Sequence, residues 1–327
     1  MNAYKKLILT ALLLTFFVVP LGAYVRLTSA GLGCPDWPGC YGEISPHHAD
    51  DAINAAVQTD PEGDVSHAKA WKEMVHRYFA GALGLLVLAI VIVAWRQRGQ
   101  TQGGMALPLV LLAMIVFQSL LGMWTVTHLL KPVIVTAHLL GGMTTLALLV
   151  WLWRRENAKP RQAYSVPVQH LRTAAMLGLV LVLIQIALGG WVSANYAALA
   201  CSDFPTCQGL WLPPMDFAQG FTLHRNLGET ASGEFLSLHA LTAIHWAHRL
   251  MALIVTLFLL VLAFRLFRIS GYTGIAMMLL VTLAAQVLLG VSNVLFSLPL
   301  PVAVAHNVGA ALLLAGMVML NFRVRRN

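Results

Sequence analysis

The chain has 327 residues, of which 58% are hydrophobic and only 10% charged, and its mean hydropathy of +0.74 lies far outside the range of water-soluble domains. Its formal net charge of +8 does not mark a nucleic-acid binder, because the cations gather at the ends of apolar segments rather than on one basic face.

A bilayer core of ~30 Å takes ~20 helical residues to cross. Apolar runs of that order fall near 7–26, 74–95, 105–127, 133–153, 173–194, 239–264, 274–297 and 302–322, which predicts an all-α polytopic membrane protein of eight transmembrane helices, spans 1 to 8. Span 1 has a basic start at Lys5 and Lys6, which is also how a cleaved signal peptide reads. Residues 16–34 match an internal segment of the second half, so a retained helix is expected. The loop after span 1 holds Asp36, Glu43, Asp50, Asp51, Asp60, Glu62 and Asp64. Within it Asp50 to Val57 predicts a short surface helix, and Ser232 to Leu238 predicts another in the loop after span 5. Arg96, Arg98, Arg154, Arg155, Lys159, Arg161, Arg172, Arg265, Arg268, Arg323, Arg325 and Arg326 instead follow even-numbered spans or close the chain. By the positive-inside rule both termini face the cytoplasm and the long loops lie outside.

The chain repeats itself. Leu21–Val25 through Cys34–Cys40 aligns without gaps, 167 residues on, with Leu188–Val192 through Cys201–Cys207. Glu73, His76 and Arg77 then meet His245, His248 and Arg249; Gln118 and Gly122 meet Gln286 and Gly290; His138 meets His306. Four spans per copy keep both copies in one orientation, so two tandem four-helix bundles related by a pseudo-twofold axis along the membrane normal are expected. The boundary falls in the polar stretch Arg154 to Pro167, giving an N-terminal bundle over 1–157 and a C-terminal bundle over 158–327.

The pairs Cys34/Cys40 and Cys201/Cys207, each C-x5-C in an outer loop, read most simply as two disulfides. Thiol exchange with a redox partner is the functional alternative. Of twelve histidines, His47, His48, His67, His170 and His224 sit in polar connections, and His128 and His239 at span ends. His76, His138, His248 and His306 stand apart, each one or two turns into an even-numbered span from its outer end. Ionisable groups at that depth normally face a bundle interior. Two per half are too few for a closed zinc site but enough for both axial positions of one haem iron. Arg77 and Arg249, next in sequence, suit haem propionates, and Met74, Phe79, Trp246 and Met251 suit apolar walls. Glu73, three residues before His76 and on the same face, has His245 as its repeat mate. A carboxylate beside a haem face can move protons, so the halves are expected to differ in job.

On these residues the chain resembles the haem A synthase family over essentially its whole length: the E-x-x-H-R of Glu73 to Arg77, the H-x-x-H-R of His245 to Arg249, His138, His306 and the Cys34/Cys40 pair. The resemblance implies a bacterial inner-membrane enzyme that oxidises a methyl group of haem O to a formyl group, giving haem A. It implies that His76 and His138 receive haem O, that His248 and His306 keep a haem B cofactor, that Glu73 is the functionally important acid, and that Cys34 and Cys40 form a loop disulfide. Expected partners are a quinol or other electron carrier, the enzyme that makes haem O, and membrane lipid. Two rivals remain: a non-catalytic di-haem cytochrome between quinol and an outer partner, which has no need of Glu73, and a membrane thiol oxidoreductase centred on the cysteines.

Overall fold

In the computed structural model, residues 2–61, 63, 65–97, 104–158 and 169–326 are described. Ten α-helices occur among them: α1 (Ala3–Leu27), α2 (Asp50–Thr59), α3 (His67–Arg96), α4 (Ala106–Thr127), α5 (Pro132–Glu156), α6 (Gln169–Ala194), α7 (Phe217–Gly220), α8 (Leu238–Phe267), α9 (Thr273–Leu295) and α10 (Leu300–Arg326). Eight are long and apolar enough to cross a membrane, all but α2 and α7, and they match the eight expected spans. A helix satisfies its own backbone groups, the condition that hydrocarbon imposes on any crossing segment. The only β-pairing among the described residues is three isolated bridges.

Helix starts follow local chemistry. Ser66 and Ser237 cap α3 and α8 by accepting the N–H of Lys69 and Ala240, and Pro132 opens α5 where no intrahelical N–H is needed. The expected surface helix at 50–57 is α2. The one expected at Ser232 to Leu238 does not form. There Thr230 N–H bonds the Glu234 carbonyl and Glu229 bridges to Phe235, a turn that takes up the polar backbone groups, while the helical turns of this loop are a 3₁₀ turn at Ala197–Leu199 and α7, capped by Asp216.

Contacts run α1–α3–α4–α5 and back to α1 in a closed ring, and α6–α8–α9–α10 and back to α6 in a second. The rings meet through α5 with α6, α1 with α10, and α5 with α10, a pattern compatible with the expected pseudo-twofold, because it is unchanged when the copies are exchanged. Near that axis Arg26 donates to the carbonyl of Ser193, its own repeat mate, at 2.8 Å, and its guanidinium covers the Tyr196 ring at 4.0 Å. One apolar core joins both rings, from Ile8, Val87 and Leu146 to Leu259, Leu279 and Leu314. Leu85, Leu253 and Leu288 point outward, as a lipid-facing surface requires. The proposed boundary stretch lies largely at 159–168, outside the described residues.

The duplication extends to the backbone. Ser29 and Tyr196, Tyr41 and Gln208, Leu129 and Ser297, and Leu130 and Leu298 all have positive φ in matched positions, and Trp37-Pro38 and Phe204-Pro205 are both cis.

Candidate functional site

Helices α3 and α5 occupy opposite corners of the first ring, and α8 and α10 opposite corners of the second, so each ring faces one histidine toward another across its interior. His76 and His138 lie within electrostatic reach of each other, as do His248 and His306. Each imidazole rests edge-on against a glycine of a neighbouring helix. A Cβ added at Gly22 would stand 2.9 Å from Cε1 of His76, at Gly122 3.2 Å from that of His138, at Gly189 3.2 Å from that of His248, and at Gly290 3.1 Å from that of His306. Real Cβ contacts are seldom so close, so glycine is what lets the rings sit where they do. Gly81 and Gly84, by contrast, have nothing near an added Cβ.

Glutamines stand beside three of the histidines. Gln118 donates to the backbone carbonyl of His138 at 2.8 Å, and its mate Gln286 approaches Nε2 of His306 at 3.3 Å. Gly141 and Gly309 leave room for the amide oxygens of these two residues, where a Cβ would collide. Gln185 lies 3.1 Å from Nδ1 of His248. The Nδ1 atoms of His76, His138 and His306 are buried without a hydrogen-bond partner.

Above the histidines, each loop is closed by a disulfide, Cys34–Cys40 and Cys201–Cys207, and tied down on the helix that bears the first histidine of its half. In the first half Glu73 accepts the N–H of Cys34 at 3.0 Å and pairs with Arg77 at 2.6 Å. Arg77 in turn donates to the carbonyl of Asp36 at 2.8 Å and to that of Gly39. In the second half His245 sits in the same seat. Its Nδ1 lies 3.3 Å from the backbone nitrogen of Cys201 and its Nε2 3.2 Å from Nε of Arg249, of which a neutral imidazole accepts from one, and Arg249 donates to the carbonyls of Thr206 and Cys201, both at 2.9 Å. Glu73 and His245 are both buried, so each needs the partners it has. Within the loops Asp36 accepts the N–H groups of Tyr41 and Gly42, and Asp203 those of Gln208 and Gly209. The hydroxyl of Thr206 and the N–H of Gly209 hold the Asp203 carboxyl down to about 2.

The sequence-predicted histidine pairs, Glu73, Arg77, Arg249 and the cysteines thus gather at the loop ends of the two rings. Among the wall candidates, Met74 packs with Cys34, Cys40, Ala49 and Ile53 under the first loop, and Trp246 donates to the carbonyl of Trp211. His67 bonds Asn54 and pairs with Asp50, pinning α2. Sequence reasoning missed the four glycine seats and Gln185. The signal for Gln185 was present as a lone amide in an apolar span whose repeat mate is Val18.

Fold and site together define a multi-pass membrane protein built from a duplicated bundle, with one facing imidazole pair and one pinned disulfide loop in each copy. Residues 5–318 match the COX15-CtaA family, described as cytochrome oxidase assembly protein, and the chain belongs to that family. It is 44% identical over 313 residues to a heme A synthase of Shewanella oneidensis, covering 95% of this chain and 93% of the relative. A heme A synthase of Sphingopyxis alaskensis is 30% identical over 324 residues, covering 93% and 86%, and one of Halalkalibacterium halodurans is 28% identical over 236 residues, covering 71% and 72%.

Proposed function

We propose that this chain is a haem A synthase that oxidises a methyl group of haem O to a formyl group. The N-terminal half, residues 1–157, takes haem O as substrate between His76 and His138, and the C-terminal half, residues 158–327, keeps haem B between His248 and His306. The observation that carries this reading is the fourfold seat: two imidazoles from opposite corners of each ring, each against a glycine, with three of the four Nδ1 atoms unpartnered. That donor set suits the two axial positions of an iron. A haem bound between His248 and His306 supplies one-electron transfer.

The protein's own residues supply position and proton handling. His76 and His138 orient the substrate from opposite sides. Glu73, one turn outward of His76 and bonded through both oxygens, holds or accepts a proton at its carboxylate beside the substrate. Arg77 and Arg249 would be the cations offered to propionates, although both guanidinium groups already hold loop carbonyls, so a propionate would share them. The Cys34–Cys40 loop covers the substrate half. Both termini face the cytoplasm and the cysteine loops face outward across the bacterial inner membrane, with a quinol or similar carrier as electron partner and the haem O-forming enzyme as supplier.

The test is expression in a host that makes haem O but lacks haem A, followed by extraction and chromatography of the haems. A new formyl-bearing haem is expected. Unchanged haem O, with the protein present in the membrane, overturns the proposal.

A further inference from the structure

The seam between the two bundles differs between its two sides. On one side Leu12 and Phe16 of α1, Val150 of α5, Met278 of α9 and Ala315 and Met319 of α10 line a cleft of about 250 Å³, together with Arg154 in the last turn of α5. Its wall is thus drawn from both copies, and α10 packs against each of the other three helices. Leu312, which also lines the cleft, is 45% exposed, so the cleft opens to the outer surface of the bundle. By the register that matches His138 to His306, the repeat mates of Arg154 and Met319 are Phe322 and Trp151. Those two rings meet edge to face at 5.2 Å, so aromatic packing stands in place of the guanidinium and the thioether.

The end of the bundle that bears both termini is short of anions. Of thirteen Asp and Glu residues, Glu156 alone belongs to that end by sequence position, and it is buried and paired with Arg155 at 3.2 Å. Arg323 and Arg326 lie within electrostatic reach of Arg154, and Arg154 and Arg326 both stand over the Phe322 ring, at 6.0 and 5.7 Å. Nε of Arg154 is buried without a hydrogen-bond partner. Like charges drawn together repel unless an anion sits among them, and a guanidinium fork suits a phosphate. A basic pocket between membrane helices is a recurrent seat for an acidic lipid headgroup. We infer that this cleft holds one anionic phospholipid, its phosphate against Arg154 and an acyl chain along Phe16, Ala315 and Met319, so that the lipid bridges the two copies. The apolar wall selects a lipid over a free phosphate, and the arginines select an acidic headgroup over a zwitterionic one. The site is separate from the histidine pairs and does not depend on what they bind.

The experiment titrates the full-length chain in detergent with dioleoylphosphatidylglycerol and reads the first lipid adduct by native mass spectrometry, with dioleoylphosphatidylcholine run in parallel. The parent chain is expected to hold the first phosphatidylglycerol about tenfold more tightly than phosphatidylcholine, the order expected when more than one arginine faces the headgroup. R154Q is expected to weaken that adduct roughly fivefold or more. R265Q, which removes an exposed arginine from α8 at the same end, is expected to leave it unchanged. M319W fills the cleft with the side chain that the repeat already carries at Trp151 and keeps every cation. It is expected to lose the adduct as R154Q does, so the inference does not stand on the folding of one variant. Equal retention of the two lipids, a loss in R265Q as large as in R154Q, or parental retention in M319W overturns it. Displacement of the lipid by excess inorganic phosphate also overturns it, in favour of a soluble anion.

Discussion

The first and second disulfide loops are held by the same device made from different chemistry. Glu73 and His245 occupy one seat, each between the backbone N–H of the first cysteine and the arginine four residues on. Deeper in the bundle the copies differ again, with Gln185 beside His248 and Val18 in the matching position. The two copies share a scaffold and differ by two polar exchanges, which is the kind of difference the proposed division of labour requires. The anchor geometry is common property, and the charge at the seat is what distinguishes the first copy.

The largest effects should come from the imidazoles. H248A or H306A is expected to lower retained haem per protein by about tenfold or more, measured by Soret absorbance against protein. H76A and H138A are expected to keep that retained haem yet form no formyl-bearing product. Equal loss in all four variants would break the division between the copies. Next comes the seat. E73A is expected to cut product formation by about 10²-fold or more, the range of a positioned acid or base, whereas H245A should cost less than about tenfold. A di-haem electron carrier would tolerate E73A.

A swap sharpens the point further. E73H installs the second copy's anchor in the first, so the Cys34–Cys40 pair should resist mild reductant and maleimide labelling as in the parent chain, while product formation stays low. E73A should lose both. If E73H restores product formation, Glu73 serves only to hold the loop. Smaller still, G22A should reduce product formation several-fold by pressing on His76, while G81A, facing open space, should change nothing; chromatography of extracted haems reads both. The smallest effect concerns pH. A depressed carboxylate contributes stability that is present above its unfolded value and lost only as pH falls through its folded value. With Asp203 held at about 2, the fold of the second loop, read by circular dichroism of its aromatic residues, should stay constant from neutral pH down to about 4, near the unfolded carboxylate value.

Much of this was legible in the sequence because the signals were periodic or duplicated. Hydropathy gave the spans, and the repeat gave the matched histidines and cysteines. Surface helix α2 followed from its acidic start and local pattern, whereas Ser232 to Leu238 went to a turn because Thr230 and Glu229 capture the backbone first. The link from Glu73 to Cys34 was not legible, since it joins residues 39 apart and depends on how the loop folds back over α3. The arginines were read as waiting for propionates, yet their guanidinium groups hold loop carbonyls, a competition that spacing does not reveal. The glycine seats were hidden for the same reason: glycine in a span reads as general close packing until its neighbour is known.

Those seats have a consequence for redesign. At four places the clearance around an imidazole is set by a methyl group that is missing, so no substitution there is conservative, and even alanine is an intrusion. An effort to make this scaffold accept a different macrocycle should leave Gly22, Gly122, Gly189 and Gly290 untouched and vary the residues around them.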